Sequence, residues 1–439
     1  MKKLLLILVL LALTGLVGLF VIHHEGEDPS VTLDPAGGSV SPSSELSLHV
    51  TDQKSGLAAV RVVLRQGDVE RTLLSEDFAA AVHTWKETLS LPSKGLADGP
   101  VSIIVRATDR SWSNWGKGNT VAVETGLVLD SAPPVVSILS HQHNLNQGGA
   151  GAVAFTLSEP ASRVAVVLGQ WSFPAYEQPS GNYLCIFAFP HSADPGLQPL
   201  VLARDLAGNE IKTGFYNHVN ARTFKRDSIT ISPRFLAAKM PQFQNLFPGT
   251  SDPLQLFLKV NTELRRQNRE ALQKIGTTTV PEPLWDGSFQ RMKNAAPMAG
   301  FADHRTYYHD GQKIDEQTHL GIDLASLAQA AVPAANSGRV VFAGFMGIYG
   351  QCVILDHGTG LQTLYAHLSK IDVTEDSQVQ KGQTIGNTGA TGLAGGDHLH
   401  FAVLVSGVPV NPIEWWDATW IKNNVEEKLT LAAGGTVQQ

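Results

Sequence analysis

Cysteine is scarce in this chain: Cys185 and Cys352 are the two among 439 residues. So few exclude a disulfide framework. They fall in segments read below as different domains, and each has apolar neighbours, Leu184 and Ile186 or Val353 and Ile354. The sequence therefore predicts two unpaired thiols in buried strands. Excess positive charge is also missing, since 33 Lys and Arg against 40 Asp and Glu leave a net charge of -7. That balance argues against a nucleic-acid partner. No tight aromatic set for gripping sugar stands out, and Trp112 and Trp115 are expected to pack in a core or at a corner.

Lysine and arginine are absent between Lys3 and Lys54, and that gap bears on the N-terminus. Lys2 and Lys3 precede an uncharged apolar run from Leu4 to Ile22, followed by His23, His24, Glu25, Glu27 and Asp28. At about 1.5 Å per helical residue the run is long enough to cross a hydrocarbon core. Positive charge on the leading side predicts that this side stays in the cytoplasm. A cleaved signal peptide is the rival reading. The run exceeds the usual apolar core of such a peptide, and no small-x-small site follows it. Residues 1–27 are accordingly read as an inner-membrane anchor, with the remaining domains on the periplasmic or extracytoplasmic side.

The expected fold class is mainly β. Residues 28–131 and 132–232 are read as two tandem immunoglobulin-like sandwiches. Short β-rich runs recur there between turn signals, among them Leu46-Ser47-Leu48-His49-Val50 and Val60-Arg61-Val62-Val63-Leu64. Arg106-Ala107-Thr108-Asp109, ending at Asn114, is echoed by Ala203-Arg204-Asp205, ending at Asn209. The two domains are expected to act as a spacer or targeting arm and to offer surfaces to envelope proteins. Residues 233–298 form a helical linker. Asp252 and Pro253 make a helix start, Leu254, Phe257, Leu258, Leu264, Ala271, Leu272 and Ile275 an apolar stripe, and Gly276 a stop. A connecting helix packed on the following domain is expected, and a cover over a cleft is the sharper alternative. Residues 299–425 are read as an antiparallel-β domain closed by Trp415, Trp416 and Trp420, and residues 426–439 as a fraying tail.

That last domain carries the chemistry. His319-Leu320-Gly321-Ile322-Asp323 is followed far downstream by His398-Leu399-His400. Two imidazoles and one carboxylate suit a catalytic zinc, because three protein ligands leave a fourth tetrahedral position for water. On a strand, His398 and His400 point the same way, so one can bind metal while the other stands beside the water. His319 and Asp323 would lie roughly 13 Å apart on a straight strand, so the chain must fold back between them, and Gly321 can permit the bend. Tyr365-Ala366-His367 supplies a further imidazole, and hydrolysis needs a proton carrier.

From about Phe301 to Trp416 the sequence resembles the M23 (lysostaphin/LytM-type) metallopeptidases, whose motifs are HxxxD and HxH. The likeness extends in order through Val332-Pro333-Ala334, Gly338-Arg339-Val340, Gly347-Ile348-Tyr349-Gly350, Leu355-Asp356-His357-Gly358, Gly382-Gln383-Thr384-Ile385-Gly386, Thr391-Gly392 and Asn411-Pro412. The resemblance implies zinc on His319, Asp323 and His400. It implies that His367 and His398 flank the attacking water, and it puts Arg305 near the cleft, on a substrate carboxylate or in a salt bridge. It further implies cleavage of peptidoglycan peptides. A tyrosine often found shortly before the first histidine is not visible at that spacing, where Lys313 and Ile314 fall. His357 is expected to be structural, His304 and His309 to lie on the surface, and the second HxH pair, His141 and His143, to hold no metal. The reading is a membrane-anchored zinc endopeptidase acting on wall peptides. The rivals are a non-enzymatic activator of another wall hydrolase and a zinc peptidase aimed at proteins.

Overall fold

The computed structural model describes residues 2–92 and 94–437, with side chains except at 2–6, 19 and 21–23. The chain is mainly β and separates into two compact units. A helix runs over Lys2–His23. Among the described residues no helix is long and apolar enough to cross a membrane. The span expected over Leu4–Ile22 is thus not supported, and it falls in part on side chains outside those described.

The first unit comprises Met1–Pro134 with two short segments, Glu159–Ser162 and Arg204–Ile211. It contains a three-stranded sheet of Ser30–Asp34, Glu45–Thr51 and Thr84–Ser90, and a five-stranded sheet centred on Leu57–Gln66 and Gly99–Asp109. Strand alternation drives the pairing: Leu46, Leu48 and Val50 of one sheet share a core with Val60, Val62, Leu64, Ile103 and Val105 of the other. The Asp-to-Asn echo has a physical counterpart. Asn209 Nδ2 donates to Asp205 Oδ2 at 2.8 Å, and Asn119 Nδ2, rather than Asn114, donates to Asp109 Oδ2 at 2.9 Å. Each amide also bonds backbone of an incoming segment, at Asp130 O or Glu25 O. Trp115 and Trp112 are exposed, contrary to the packing expected of them.

In the second unit, the sandwich strands include a four-stranded sheet of Tyr176–Glu177, Tyr183–Ala188, Ala150–Leu157 and Val136–Ile138. Their interior is not separate from the C-terminal domain. Phe155, Phe187 and Cys185 belong to one apolar core with Trp285, Phe289, Tyr365, Phe401 and Trp415. Segment boundaries shift accordingly. Arg226–Thr230, assigned above to the second sandwich, pairs in parallel with His304–His309 beside the C-terminal sheet. Ala296–Ala299, all but its last residue assigned to the linker, is an edge strand of that sheet. The tail does not fray from 426: a helical stretch continues to Ala432, burying Ala432 against Ala154 and Leu184. Both cysteines are free and buried, as expected.

The C-terminal sheet positions the candidate site. Its strands run in the order Ala296–Ala299, Ile322–Ala325, Leu399–Val405, Leu361–Leu368, Gln351–Asp356, Gly338–Phe345, Gln378–Val379. Both faces are covered, which is why these strands read as unbroken apolar runs. Ile322, Leu324, Tyr365, Leu399, Phe401 and Val403 point into the core shared with the second sandwich. Cys352, Ile354, Leu364, Ala366, Ala402 and Leu404 point the other way, onto linker residues Leu256, Phe257, Val260 and Leu264. Asp323 and His400 have the second parity, so the linker and the site occupy the same face. The linker is helical over Pro233–Lys239, Met240–Leu246 and Pro253–Ile275, with a π-helical turn at Val260–Leu264. Residues 276–295 then cross the domain without regular structure.

Candidate metal centre

Ile322–Ala325 and Leu399–Val405 pair antiparallel with Asp323 opposite His400. Directly opposed residues share a face with neighbouring Cβ atoms. His319 follows the strand Gln312–Thr318, and the chain turns through Leu320 and Gly321 before Asp323. The result is a triangle: His319 Nε2 lies 3.0 Å from Asp323 Oδ1, His400 Nδ1 lies 2.9 Å from Asp323 Oδ1, and the two nitrogens are 3.0 Å apart. All three residues are nearly buried. Gly321 is needed, but not for an unusual backbone angle. A Cβ there would stand 2.6 Å from the His400 ring atoms Cε1 and Nε2.

Hydrogen bonding sets each ring. His319 Nδ1 lies 2.8 Å from Gly300 O, and a carbonyl only accepts, so Nδ1 carries the proton and Nε2 keeps its lone pair. His367 Nδ1 stands 2.9 Å from Thr391 O, and His398 Nδ1 stands 2.9 Å from Gly396 O, which leaves the Nε2 lone pair on both rings. The His367 and His398 ring centres are 4.9 Å apart. His367, last but one in its strand, has φ 63°, a left-handed conformation that costs a β-carbon residue energy and gathers at functional sites. His398 precedes the strand that holds His400 and bridges Gly389 instead. Its Nε2 is 3.6 Å from Asp323 Oδ1.

Burial alone would raise the Asp323 carboxyl, but the imidazoles of His319, His398 and His400 packed around it outweigh that and hold the group well below the usual carboxylate range. Burial, then the charges of His400 and His398, push His367 well below the ordinary imidazole value. Burial acts downward on His398 too, but the Asp323 carboxylate beside it leaves it raised. Burial brings His400 down to about 4. A buried carboxylate oxygen with two imidazole nitrogens packed against it is the donor set that a divalent cation takes.

Arg305 Nη2 reaches Asp323 Oδ2 at 3.2 Å. Of the alternatives left by the sequence, the salt bridge is the one formed here. Tyr307, on the strand Arg305 shares, is buried against the linker and lines the cavity. Tyr349 was missed as a site residue: its ring centre lies 5.6 Å from that of His400. Its signal was present in Gly347-Ile348-Tyr349-Gly350, which the sequence reading used for likeness alone. Linker residues Phe235, Phe257 and Arg265 and the segment Ile229–Ile231 also line the cavity, of about 280 Å³. His357 is fully buried between Ser337 O and Thr363 Oγ1, and His143 is buried against Ser140 and Tyr216. Neither joins the cluster. His304 and His309 are strand residues, and His309 Nδ1 bonds Ile231 O.

The donors fit a metal ion. His319, Asp323 and His400 each offer one ligand atom, and these atoms lie within 4.8 Å of one another. Zinc bonds of about 2 Å in tetrahedral array require such crowding. His400 Nε2 is buried without a hydrogen-bond partner among the described residues, so this ring is held by its Nδ1 side alone.

Sequence comparison agrees with this geometry. The model of peptidase family M23 matches residues 317–412. The chain is 42% identical over 95 residues to the DD-carboxypeptidase/endopeptidase Mpg of Neisseria meningitidis serogroup B, covering 22% of each chain. It is 35% identical over 112 residues to the murein hydrolase activator NlpD of Salmonella dublin, covering 24% of this chain and 29% of that one. The catalytic domain of the antimicrobial peptidase lysostaphin from Staphylococcus simulans aligns at 29% identity, covering 30% of this chain and 98% of that domain, with a TM-score of 0.26. The match to the curated relatives thus spans less than a third of their length. The C-terminal part of this chain is a peptidase family M23 domain.

Proposed function

We propose that the chain is a zinc endopeptidase of the bacterial envelope that hydrolyses peptide bonds in peptidoglycan stem peptides or cross-links. The observation that carries this reading is the convergence of five side chains, His319, Asp323, His400, His367 and His398, on one cavity. In this reading His319 Nε2, Asp323 Oδ1 and His400 Nδ1 hold the ion. Zinc there supplies Lewis acidity and lowers the pKa of water to about 7. Arg305 occupies Asp323 Oδ2 and leaves Oδ1 directed at the nitrogens. His367 and His398 present unprotonated Nε2 atoms side by side. Two imidazoles so placed, with ring centres 4.9 Å apart and each Nδ1 on a carbonyl, suit taking a proton from water and returning one to the leaving amine.

The likeness to a murein hydrolase activator supports a second reading, in which the domain binds and stimulates another wall enzyme. An activator needs neither His367 nor His398, and both are in place. The envelope location rests on sequence alone, on Lys2, Lys3 and the apolar run Leu4–Ile22. Protein contacts through the N-terminal domains are likewise part of the proposal. The test is mass spectrometry of defined cross-linked muropeptides incubated with purified, zinc-loaded protein. New amine and carboxyl ends at one peptide bond support the endopeptidase. Intact muropeptides with a stimulated partner hydrolase would favour the activator, and cleavage of proteins alone would favour a general protease.

A further inference from the structure

The cavity over the candidate centre has a wall that the matched family segment does not supply. Its far side comes from the linker, and one residue there carries charge: Arg265, placed directly after the π-helical turn Val260–Leu264. A π turn shifts the phase of a helix and is often found where a side chain must be re-aimed. Here it buries Leu264 and brings the next residue to the cavity wall.

The Arg265 guanidinium is held firmly along one edge. Its Nε donates to Asn261 O at 3.2 Å and its Nη2 to Asn261 Oδ1 at 2.8 Å. Asn261 is itself fully buried and donates from Nδ2 to Asp315 Oδ2 at 2.6 Å. Yet no carboxylate among the described residues lies within ion-pair distance of Arg265. Two further cations, Arg305 and Arg269, act on it, as do the hydroxyls of Tyr307 and Tyr349. A partly buried guanidinium without a counter-ion is costly unless an anion arrives to pair with it. Its rigid fork matches a carboxylate.

We propose that Arg265 is a specificity-determining residue that binds a substrate carboxylate close to the scissile bond, so that the preferred substrates are anionic peptides. The proposal rests on the peptidase reading above and narrows it. Arg305 is engaged by Asp323, which leaves Arg265 as the cation on the cavity wall with no acid partner. At about 280 Å³ the cavity is at or below the small end of ligand pockets, and it fits one or two small residues. Two sources of the carboxylate share this chemistry: the free end of a peptide and the side chain of a diacid residue.

The test uses the full zinc-loaded chain and three matched wall peptides, carrying the carboxylate at the chain end, on a diacid residue beside the scissile bond, or at neither position. The wild type is expected to favour one carboxylate-bearing peptide over the carboxylate-free one by about 10- to 100-fold in kcat/KM, mostly through KM. In Arg265→Gln that ratio should collapse toward one with zinc content preserved, and Arg265→Lys should fall between. An unchanged ratio would overturn the proposal, whether the variant loses activity on all three peptides or gains it on all three; the second outcome would mark the linker as a cover. If the folded wild type cleaves none, the peptidase reading falls, and calorimetric binding of the same peptides still decides. Tighter binding of a carboxylate peptide, abolished in Arg265→Gln, supports carboxylate recognition, and equal binding refutes it.

Discussion

Asp323 and His400 face each other across two antiparallel strands, with Oδ1 and Nδ1 2.9 Å apart. Strand register alone brings these two donors together, and His319 completes the set from the turn before. Removing a donor should therefore empty the centre without unfolding the sheet. His400→Ala should lower zinc affinity by more than the roughly 10- to 100-fold that loss of an outer partner costs. Competition with a chromophoric chelator measures it, and near-wild-type retention of zinc would show that His400 is not a ligand.

His367 and His398 should behave differently. Each variant, His367→Ala or His398→Ala, is expected to bind zinc about as well as wild type and to lose roughly 100- to 10,000-fold in kcat. Metal content and turnover on a muropeptide, measured on the same preparation, check both halves. Turnover equal to wild type would remove the residue from the proton path.

Gly321 offers a steric probe. Its missing side chain leaves the space that the His400 ring fills, with the would-be Cβ at 2.6 Å. Gly321→Ala should push that ring from Asp323, weaken zinc binding and cost roughly 1–3 kcal/mol of stability. A variant with unchanged affinity and melting temperature would show that the ring has room to move.

Glu414 gives the molecule a pH dependence away from the centre. Its buried carboxyl accepts from Asn146 Nδ2 at 2.7 Å and from Ala150 N at 2.8 Å, and burial raises it to about 7. An acid raised in the folded state holds its proton there while the unfolded chain has released it. Stability should consequently fall as pH climbs from about 4.5 to about 7 and level off above, by on the order of 1–3 kcal/mol. Glu414→Gln removes the charge and keeps one of the two acceptors, so its denaturation midpoints should lose that slope. Parallel pH profiles for the two proteins would contradict this account.

Much of the centre was legible in the sequence because its donors are spaced by strand periodicity and reactive side-chain types are few. His319, Asp323, His367, His398 and His400 do converge. The role of Gly321 was misread: backbone freedom was inferred where the need is space, and space depends on a strand about eighty residues away. Tyr349 was passed over because an aromatic in a glycine turn looks like packing. The linker's share of the cavity was invisible for a different reason. An amphipathic stripe says that a helix is covered, not which face of which sheet covers it, and the π turn before Arg265 leaves no mark in the periodicity. The second sandwich looked like a self-contained bead because strand patterns do not reveal whose apolar face they will share.

That shared interior has a consequence for how the protein can be cut and rebuilt. Phe155 and Phe187 lie in one apolar mass with Trp415 and Phe401, and Phe401 neighbours His400 in sequence. Residues 135–439 should consequently melt in a single calorimetric transition rather than stepwise. Excising the second sandwich to make a minimal catalyst would strip hydrocarbon from beneath the very strands that align the donors, so a truncation that looks modular on paper would yield a sticky, metal-poor fragment.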